Sequence, residues 1–322
     1  MIVTKTPLRI SFFGGGSDIP EYFKYNRGMT VSATIDRCIY LAVNTCESNH
    51  IRMTYSEMEC VENINELKHD RVRESLKYYN INNNIEICSF SDVPTKGTGL
   101  GSSSTFTVGL LNALNHIVNN VELNKEQMAI LACMIEIEKC KEPIGFQDQY
   151  AAAYGGLNII EYDNYMVDVK TITQRNIERL DKNLFLYNTG INRQASSVLT
   201  EQVESLKKKI NVEYTKQIVE IADQSIKYLM KRKFDDFGAL LDETWKIKKN
   251  LSSNISNDII DEMYETAMKS GALGGKIVGA GGGGYLLLYA PMKNHSKLEE
   301  AMTKYKKLDF NFENEGSKLV KI

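Results

Sequence analysis

The chain has 322 residues, 43% hydrophobic and 25% charged, ordinary proportions for a globular protein with one large core or two modest domains. Its formal charge of −2 supplies no global basic field for nucleic acid or a membrane surface, so partners have to be sought at local sites. Six cysteines (Cys38, Cys46, Cys60, Cys88, Cys133, Cys140) form no C-x-x-C pair and the four histidines are dispersed, which excludes a recognisable zinc site or disulfide framework.

The first apolar stretch carries Lys5 and Arg9 and does not read as a secretory leader. No apolar run approaches the roughly 20 residues of a membrane span, and a reducing cytoplasm is the expected setting. Strands are predicted at 3–13, 38–46 and 50–55, where β-branched and aromatic residues concentrate. A short helix over 68–79 and a strand over 84–90 follow. A glycine- and serine-rich loop then runs from Thr95 to Thr105, ahead of an apolar helix over 106–118. Asn124, with Gln127 three residues on, reads as a capping box opening a helix that ends near Pro143. Gly155 and Gly156 close another helical segment, and 157–169 reads as a hairpin turning at Asp163-Asn164. After a strand over 184–188 the chain becomes charged and helical from Arg193 to Ser270, with breaks near Asn211, Lys233 and Ser252. A glycine-dense segment, 271–284, leads into a strand over 285–290, then a helix over 294–306 and one or two short strands. The change of character places a boundary near 170–185, giving units 1–175 and 176–322.

The segment Lys96-Gly97-Thr98-Gly99-Leu100-Gly101-Ser102-Ser103-Ser104 has a definite physical use. Glycines let the backbone approach a ligand, and the helix that follows exposes unpaired N–H groups at the positive end of its dipole. Together they make an anion cradle suited to a triphosphate, with serine hydroxyls available to Mg²⁺. It is neither a Walker A loop nor a protein-kinase G-x-G-x-x-G. The plainer reading is a Gly/Ser turn before a helix.

Two further segments join it: Pro7-Leu8-Arg9-Ile10-Ser11-Phe12-Phe13-Gly14-Gly15-Gly16-Ser17-Asp18, and Gly279-Ala280-Gly281-Gly282-Gly283-Gly284. In this order and spacing the three resemble the motifs of the GHMP kinases (galacto-, homoserine, mevalonate and phosphomevalonate kinases), over nearly the whole chain. The resemblance implies an α+β fold with a ribosomal-protein-S5-like N-terminal domain and a ferredoxin-like C-terminal domain. ATP would lie against the second motif in the cleft between them, and the third motif, through Gly281 and Gly282, would approach phosphates and acceptor from the other side.

Phosphoryl transfer needs in-line positioning, charge neutralisation and a carboxylate near the acceptor hydroxyl. Gly145-Phe146-Gln147-Asp148-Gln149 resembles the G-x-x-D-Q segment of galactokinase-like members, which assigns that carboxylate to Asp148; otherwise it is a helix N-terminal aspartate. Arg9 resembles the first-motif arginine that pairs with this aspartate and stabilises the transferring phosphate. For Mg²⁺ the resemblance implies Glu136, twelve residues before Asp148, with Ser103 and then Ser104 as the hydroxyl ligand. Glu138 competes, but about 200° of helical rotation separates the two glutamates, so only one should face the cleft.

Asp18 matches the aspartate that holds sugar hydroxyls in sugar-kinase relatives, with Gly15, Gly16 and Ser17 beside it. Where galactokinases have G-E-H-T-D this chain has G-G-G-S-D, which resembles the heptose 7-phosphate kinases and, more distantly, fucokinase domains. The stretches 55–59, 69–74 and 187–190 with Arg193 agree. The implied substrate is D-glycero-D-manno-heptose 7-phosphate, phosphorylated at its anomeric hydroxyl on the way to nucleotide-activated (GDP-) heptose. Its existing phosphate calls for Lys or Arg: Arg193 ahead of a helix, the cluster Lys246, Lys248 and Lys249 beside Trp245, or Arg27. Competing readings are a kinase for fucose, homoserine or a mevalonate-like acceptor, an ATP-assisted decarboxylase, and a non-catalytic sensor of sugar and nucleotide. Oligomeric state is left open, a homodimer among the options.

Overall fold

The N-terminal run of apolar and β-branched residues forms the long strand β1 (Ile2–Phe13). The computed structural model describes residues 1–94, 97–164, 166–192 and 195–320. In chain order β1 is followed by α1 (Pro20–Phe23), β2 (Gly28–Thr45), β3 (Ile51–Thr54), β4 (Met58–Val61), α2 (Asp70–Tyr78) and β5 (Ile85–Ser91). Next come α3 (Ser102–Asn119), α4 (Lys125–Cys133), α5 (Gln147–Tyr154), β6 (Leu157–Asp163), β7 (Met166–Ile172), α6 (Gln174–Ile177) and β8 (Leu184–Asn188). The rest is α7 (Ala195–Lys207), α8 (Val212–Met230), α9 (Phe234–Lys248), α10 (Asp258–Lys269), β9 (Gly274–Ile277), β10 (Tyr285–Tyr289), α11 (His295–Ala301), β11 (Lys307–Leu308) and β12 (Lys318–Val320).

Two sheets organise these elements. The first has the order β12-β1-β2-β5-β3-β4, with β6 and β7 added along β2; β3 and β5 run parallel and the other pairs antiparallel. Strand β2 begins at Gly28 rather than at the predicted Cys38. Small polar residues (Thr30, Ser32, Thr34) alternate there with Met29, Val31 and Ala33; β1 and β6 pair along it, and both faces are buried under packed helices, α3, α5 and α8 among them. Helix α3 lies on β1 and β2 and is buried almost all round, as its apolar sequence requires.

The second sheet is antiparallel, β11-β8-β10-β9, backed by a core around Trp245, Ile260 and Met263. Strand β9 hides inside the glycine-dense segment, where sequence patterning shows no strand. The helical half breaks near the predicted places, and α11 is shorter than predicted. The end of the chain returns to the first sheet, where β12 pairs with β1. Phe237 of α9 packs edge-on against Phe12 and Phe13 of β1, at ring-centroid distances of 5.4 and 5.0 Å, and fixes the two sheets against each other. Among the described residues no helix is long and apolar enough to cross a membrane.

Candidate active site

The cleft between the sheets has a volume of about 640 Å³ and is walled by all three glycine motifs. One side of it is the start of α3. Gly101 stands at the N-cap with φ +78° and no side chain caps the helix. The first amide to close a helical turn is that of Thr105, onto the Gly101 carbonyl. The amides of Ser102, Ser103 and Ser104 therefore have no intrahelical acceptor, and open amides of this kind are what an anion cradle requires. Gly97, Thr98 and Gly99 continue the wall. Leu100 does not: it is fully buried, and only its carbonyl takes part, accepting from the Arg9 amide at 3.0 Å. Lys96 lies outside the described residues.

The third motif closes on the second through main chain alone. A Cβ on Gly99 would stand 2.4 Å from the Val278 carbonyl oxygen, and one on Gly279 would stand 2.7 Å from Gly99 Cα. Thr189, in one of the stretches singled out by sequence, fixes the far end by donating from both amide and hydroxyl to the Gly284 carbonyl at 2.9 Å. Gly281 reaches the cleft. Gly282 instead spends its amide on the Ile255 carbonyl at 2.8 Å.

At the centre Arg9 and Asp148 form a bidentate pair. Arg9 Nε donates to Oδ1 at 2.7 Å and Nη2 to Oδ2 at 2.6 Å, while Nη1 holds the Gly99 carbonyl at 2.5 Å. Asp148 sits in the first turn of α5, yet that turn is capped by a different aspartate. Asp18 Oδ2 accepts from the Gln147 amide at 3.1 Å, its carbonyl accepts from the Phe146 amide at 3.0 Å, and Oδ1 accepts from the Gly16 amide at 2.9 Å. The Asp18 carboxyl is pushed above the usual carboxylate range, first by burial and then by the charge of Asp148. Asp18, Gly15 and Gly16 line the cleft beside Asp148. Ser17 does not reach it: its hydroxyl donates to the Gly14 carbonyl at 2.8 Å and accepts from the Met29 amide at 2.9 Å, holding the turn from behind.

Helix α4 passes into a π-helical turn, Met134–Lys139, a rare geometry enriched at functional sites. It turns Glu136 fully inward and leaves Glu138 exposed, as the rotation between them requires. The Glu136 carboxylate is already used by four donors: Arg71 Nε at 2.9 Å, Ser104 Oγ at 2.7 Å, Thr107 Oγ1 at 2.9 Å and Gln149 Nε2 at 2.6 Å. The serine joined to it is Ser104; Ser103 is exposed on the cleft wall. As arranged, Ser103 and Glu136 do not fit a shared Mg²⁺ site, because the Arg71 guanidinium supplies the positive charge that a metal would bring. Among the described residues no cluster of three or more His, Cys, Asp or Glu could hold a metal. Arg71 also binds Glu142 at 3.0 Å and lines the cleft. Sequence reasoning noted its stretch but gave it no role.

Of the cations named for a second phosphate, Arg193 lies outside the described residues. Arg27 is engaged at the surface with Glu161 and Asp223. Lys246 and Lys249 are paired with Asp242 and Asp261, and Lys248 alone turns into the cleft. Lys276, missed from sequence because it stands among glycines, joins it there.

Residues 58–156 match the family described as GHMP kinases N terminal domain, and residues 225–308 match GHMP kinases C terminal. The D-glycero-alpha-D-manno-heptose 7-phosphate kinase of Campylobacter jejuni is 31% identical, over 98% of each chain. The chain belongs to the GHMP kinases. A GHMP kinase is an ATP-dependent phosphotransferase, and among its relatives this chain falls with the sugar kinases. The L-fucokinase/L-fucose-1-P guanylyltransferase of Bacteroides fragilis is 25% identical over 89% of this chain and 34% of its own length. The crystal structure of a D-glycero-D-manno-heptose 1-phosphate kinase from Bacteroides thetaiotaomicron superposes with a TM-score of 0.81 over 100% of this chain and 99% of that one; at 24% identity it bears on the fold alone.

Proposed function

We propose that this GHMP kinase phosphorylates the anomeric hydroxyl of D-glycero-D-manno-heptose 7-phosphate, giving the 1,7-bisphosphate used to make nucleotide-activated heptose. The observation that carries the reading is the bidentate Arg9–Asp148 pair, set between the open amides of α3 and the Gly15–Asp18 turn. A triphosphate on the amides of Ser102–Ser104 brings its terminal phosphoryl toward Arg9. A sugar held by Asp18 brings a hydroxyl toward Asp148, which orients it and receives its proton as the new P–O bond forms and the terminal phosphoryl's bond to the leaving ADP breaks. Arg9 fixes the direction of that carboxylate and lies beside the charge that develops on the phosphoryl oxygens. Magnesium would travel on the triphosphate; Arg9 is the charge this chain brings beside it, while Arg71 is spent on Glu136 and Glu142.

The heptose assignment draws on the relative at 31% identity and on the G-G-G-S-D form of the first motif, which lacks the acidic and imidazole side chains of galactokinases. Incubation with ATP and heptose 7-phosphate, read by product mass, is expected to show one added phosphoryl group at the anomeric position. A clear preference for free fucose or another unphosphorylated sugar would refute it.

A further inference from the structure

Two cleft lysines have no acidic partner among the described residues. Lys248 ends α9 and Lys276 lies in β9; they are 8% and 3% exposed, and both line the cleft. Lys248 Nζ donates to the carbonyls of Ile277 at 2.9 Å and Gly279 at 2.6 Å, and Lys276 Nζ to that of Phe12 at 2.7 Å. Carbonyl dipoles offset only part of the cost of burying an ammonium, which is normally paired with an anion or left uncharged. These bonds leave Lys248 one spare N–H and Lys276 two. One turn before Lys248, on the same face of α9, Thr244 also lines the cleft, is 2% exposed, and has a hydroxyl with no partner. A buried orphan hydroxyl lining the same cleft as two amines without acidic partners among the described residues points to an acceptor-rich ligand group.

We propose that Lys248, Lys276 and Thr244 form an oxyanion subsite beside Arg9 that receives a phosphate group carried by a reactant. The proposal rests on the kinase reading of the cleft and deepens it. Arg9 of β1, itself paired with Asp148, and the two lysines are the charged groups that meet there. On α9 itself, Lys246 is engaged with Asp242, and the neighbouring Lys249 with Asp261 of α10. Burial, followed by the charge of Arg9, brings the Lys248 amine down to about 7; burial, with Lys248 and Arg9, sets Lys276 well below the usual lysine range. In the empty cleft at pH 8 the Lys248 amine is mostly uncharged, and an arriving phosphate dianion draws a proton from solvent onto it. The dianion has two sources: the terminal phosphoryl of the nucleotide, or the phosphate already on the sugar.

Calorimetric titration at pH 8 in two buffers of different ionisation enthalpy measures the proton directly. The ligands are a non-hydrolysable ATP analogue against ADP, and heptose 7-phosphate against free heptose. Uptake of between about one and two protons, shared by Lys248 and Lys276, is expected in one of the two pairs, and only with the member that carries the extra phosphate. Uptake with the ATP analogue assigns the subsite to the donor; uptake with the phosphosugar assigns it to the acceptor. Lys248→Met should lower the uptake and weaken that ligand at least about tenfold, and Lys248→Met with Lys276→Met should abolish the uptake. Lys248→Arg, always charged, should bind with the uptake reduced to the share of Lys276 and guards against a fold defect in the methionine variant. No uptake with any ligand, or undiminished uptake in the variant lacking both lysines, overturns the subsite. Turnover is scored separately: failure to phosphorylate heptose 7-phosphate with proton uptake intact sinks the substrate assignment and leaves the subsite standing.

Discussion

Gly145→Ala tests whether Asp18 holds the acceptor side of the cleft together. The new methyl would stand 2.0 Å from Asp18 Oδ2, 2.4 Å from its Cγ and 2.9 Å from its carbonyl oxygen, so the carboxylate must leave its place. Moving it breaks the bonds from the Gly16 and Gln147 amides and uncaps the helix that carries Asp148. Hydrogen bonds to a charged group are worth about 1.5–3 kcal/mol each, so the two together come to at least about 3 kcal/mol. At about 1.4 kcal/mol per tenfold, kcat/KM for the acceptor should fall at least about 10²-fold, with a lower unfolding midpoint. Nucleotide affinity should change less than about threefold, because the amides of Ser102–Ser104 are untouched. Steady-state kinetics with acceptor varied, ADP titration and denaturant melts read the three quantities. In an Asp18→Ala background the clash with the carboxylate disappears, so the added cost of Gly145→Ala should shrink sharply. Wild-type kinetics for the single variant, or an undiminished cost in that background, would refute the reasoning.

Asp148→Ala should lower kcat at least about 10²-fold with ATP affinity largely kept; turnover near wild type would remove Asp148 from the proton-accepting role. Glu136→Gln strips the buried partner from Arg71 and should cost about 3–5 kcal/mol of stability in denaturant melts. Unchanged stability with a raised magnesium requirement would instead return Glu136 to the metal. Because Lys248 titrates near 7 in the folded chain and at its ordinary 10.5 when unfolded, the unfolded chain holds more protons above pH 7. Stability of the empty protein should therefore rise from pH 7 to about 8.5, by at most about 1.4 kcal/mol per unit for this lysine. Beyond that, the thiols of buried Cys38 and Cys133 and half-buried Cys140, pushed up by burial, turn the slope downward. Lys248→Met should lessen the rise, Lys276 supplying the remainder, and an equal rise in the variant would show that Lys248 does not drive it.

What was legible in the sequence had local causes. The capping box at Asn124 and Gln127, the hairpin turn after Asp163 and the strand at 184–188 rest on neighbouring residues, and each stands where local chemistry put it. The Arg9–Asp148 contact joins residues far apart in the chain and came from motif resemblance rather than pattern. What stayed illegible depends on partners that no local pattern reveals. Glu136 reads as a metal ligand until Arg71, from a separate helix, is seen to occupy its carboxylate. Lys248 is one of three lysines near the end of a helix, and only the packing of α9 against β9 separates it from its exposed neighbours. Lys276 is masked by the glycines around it, and Ser17 by a motif in which every residue looks equally available.

The same contacts explain why the three motifs keep company in one cleft. Gly99 and Gly279 meet backbone to backbone, at distances that any side chain would break, so the second and third motifs have a single shared position. Cations then fasten that position through carbonyls: Arg9 holds Gly99, Lys276 holds Phe12 of the first motif, and Lys248 holds Ile277 and Gly279 of the third. Each of these bonds uses the side of a cation that faces protein and leaves N–H groups for the cleft. Clamping the loops and presenting charge to phosphate are thus one arrangement. A substitution that only removes charge, such as Lys248→Met, must also loosen a glycine loop. Only the charge-keeping Lys248→Arg, compared with it in both stability and proton uptake, can divide the two effects.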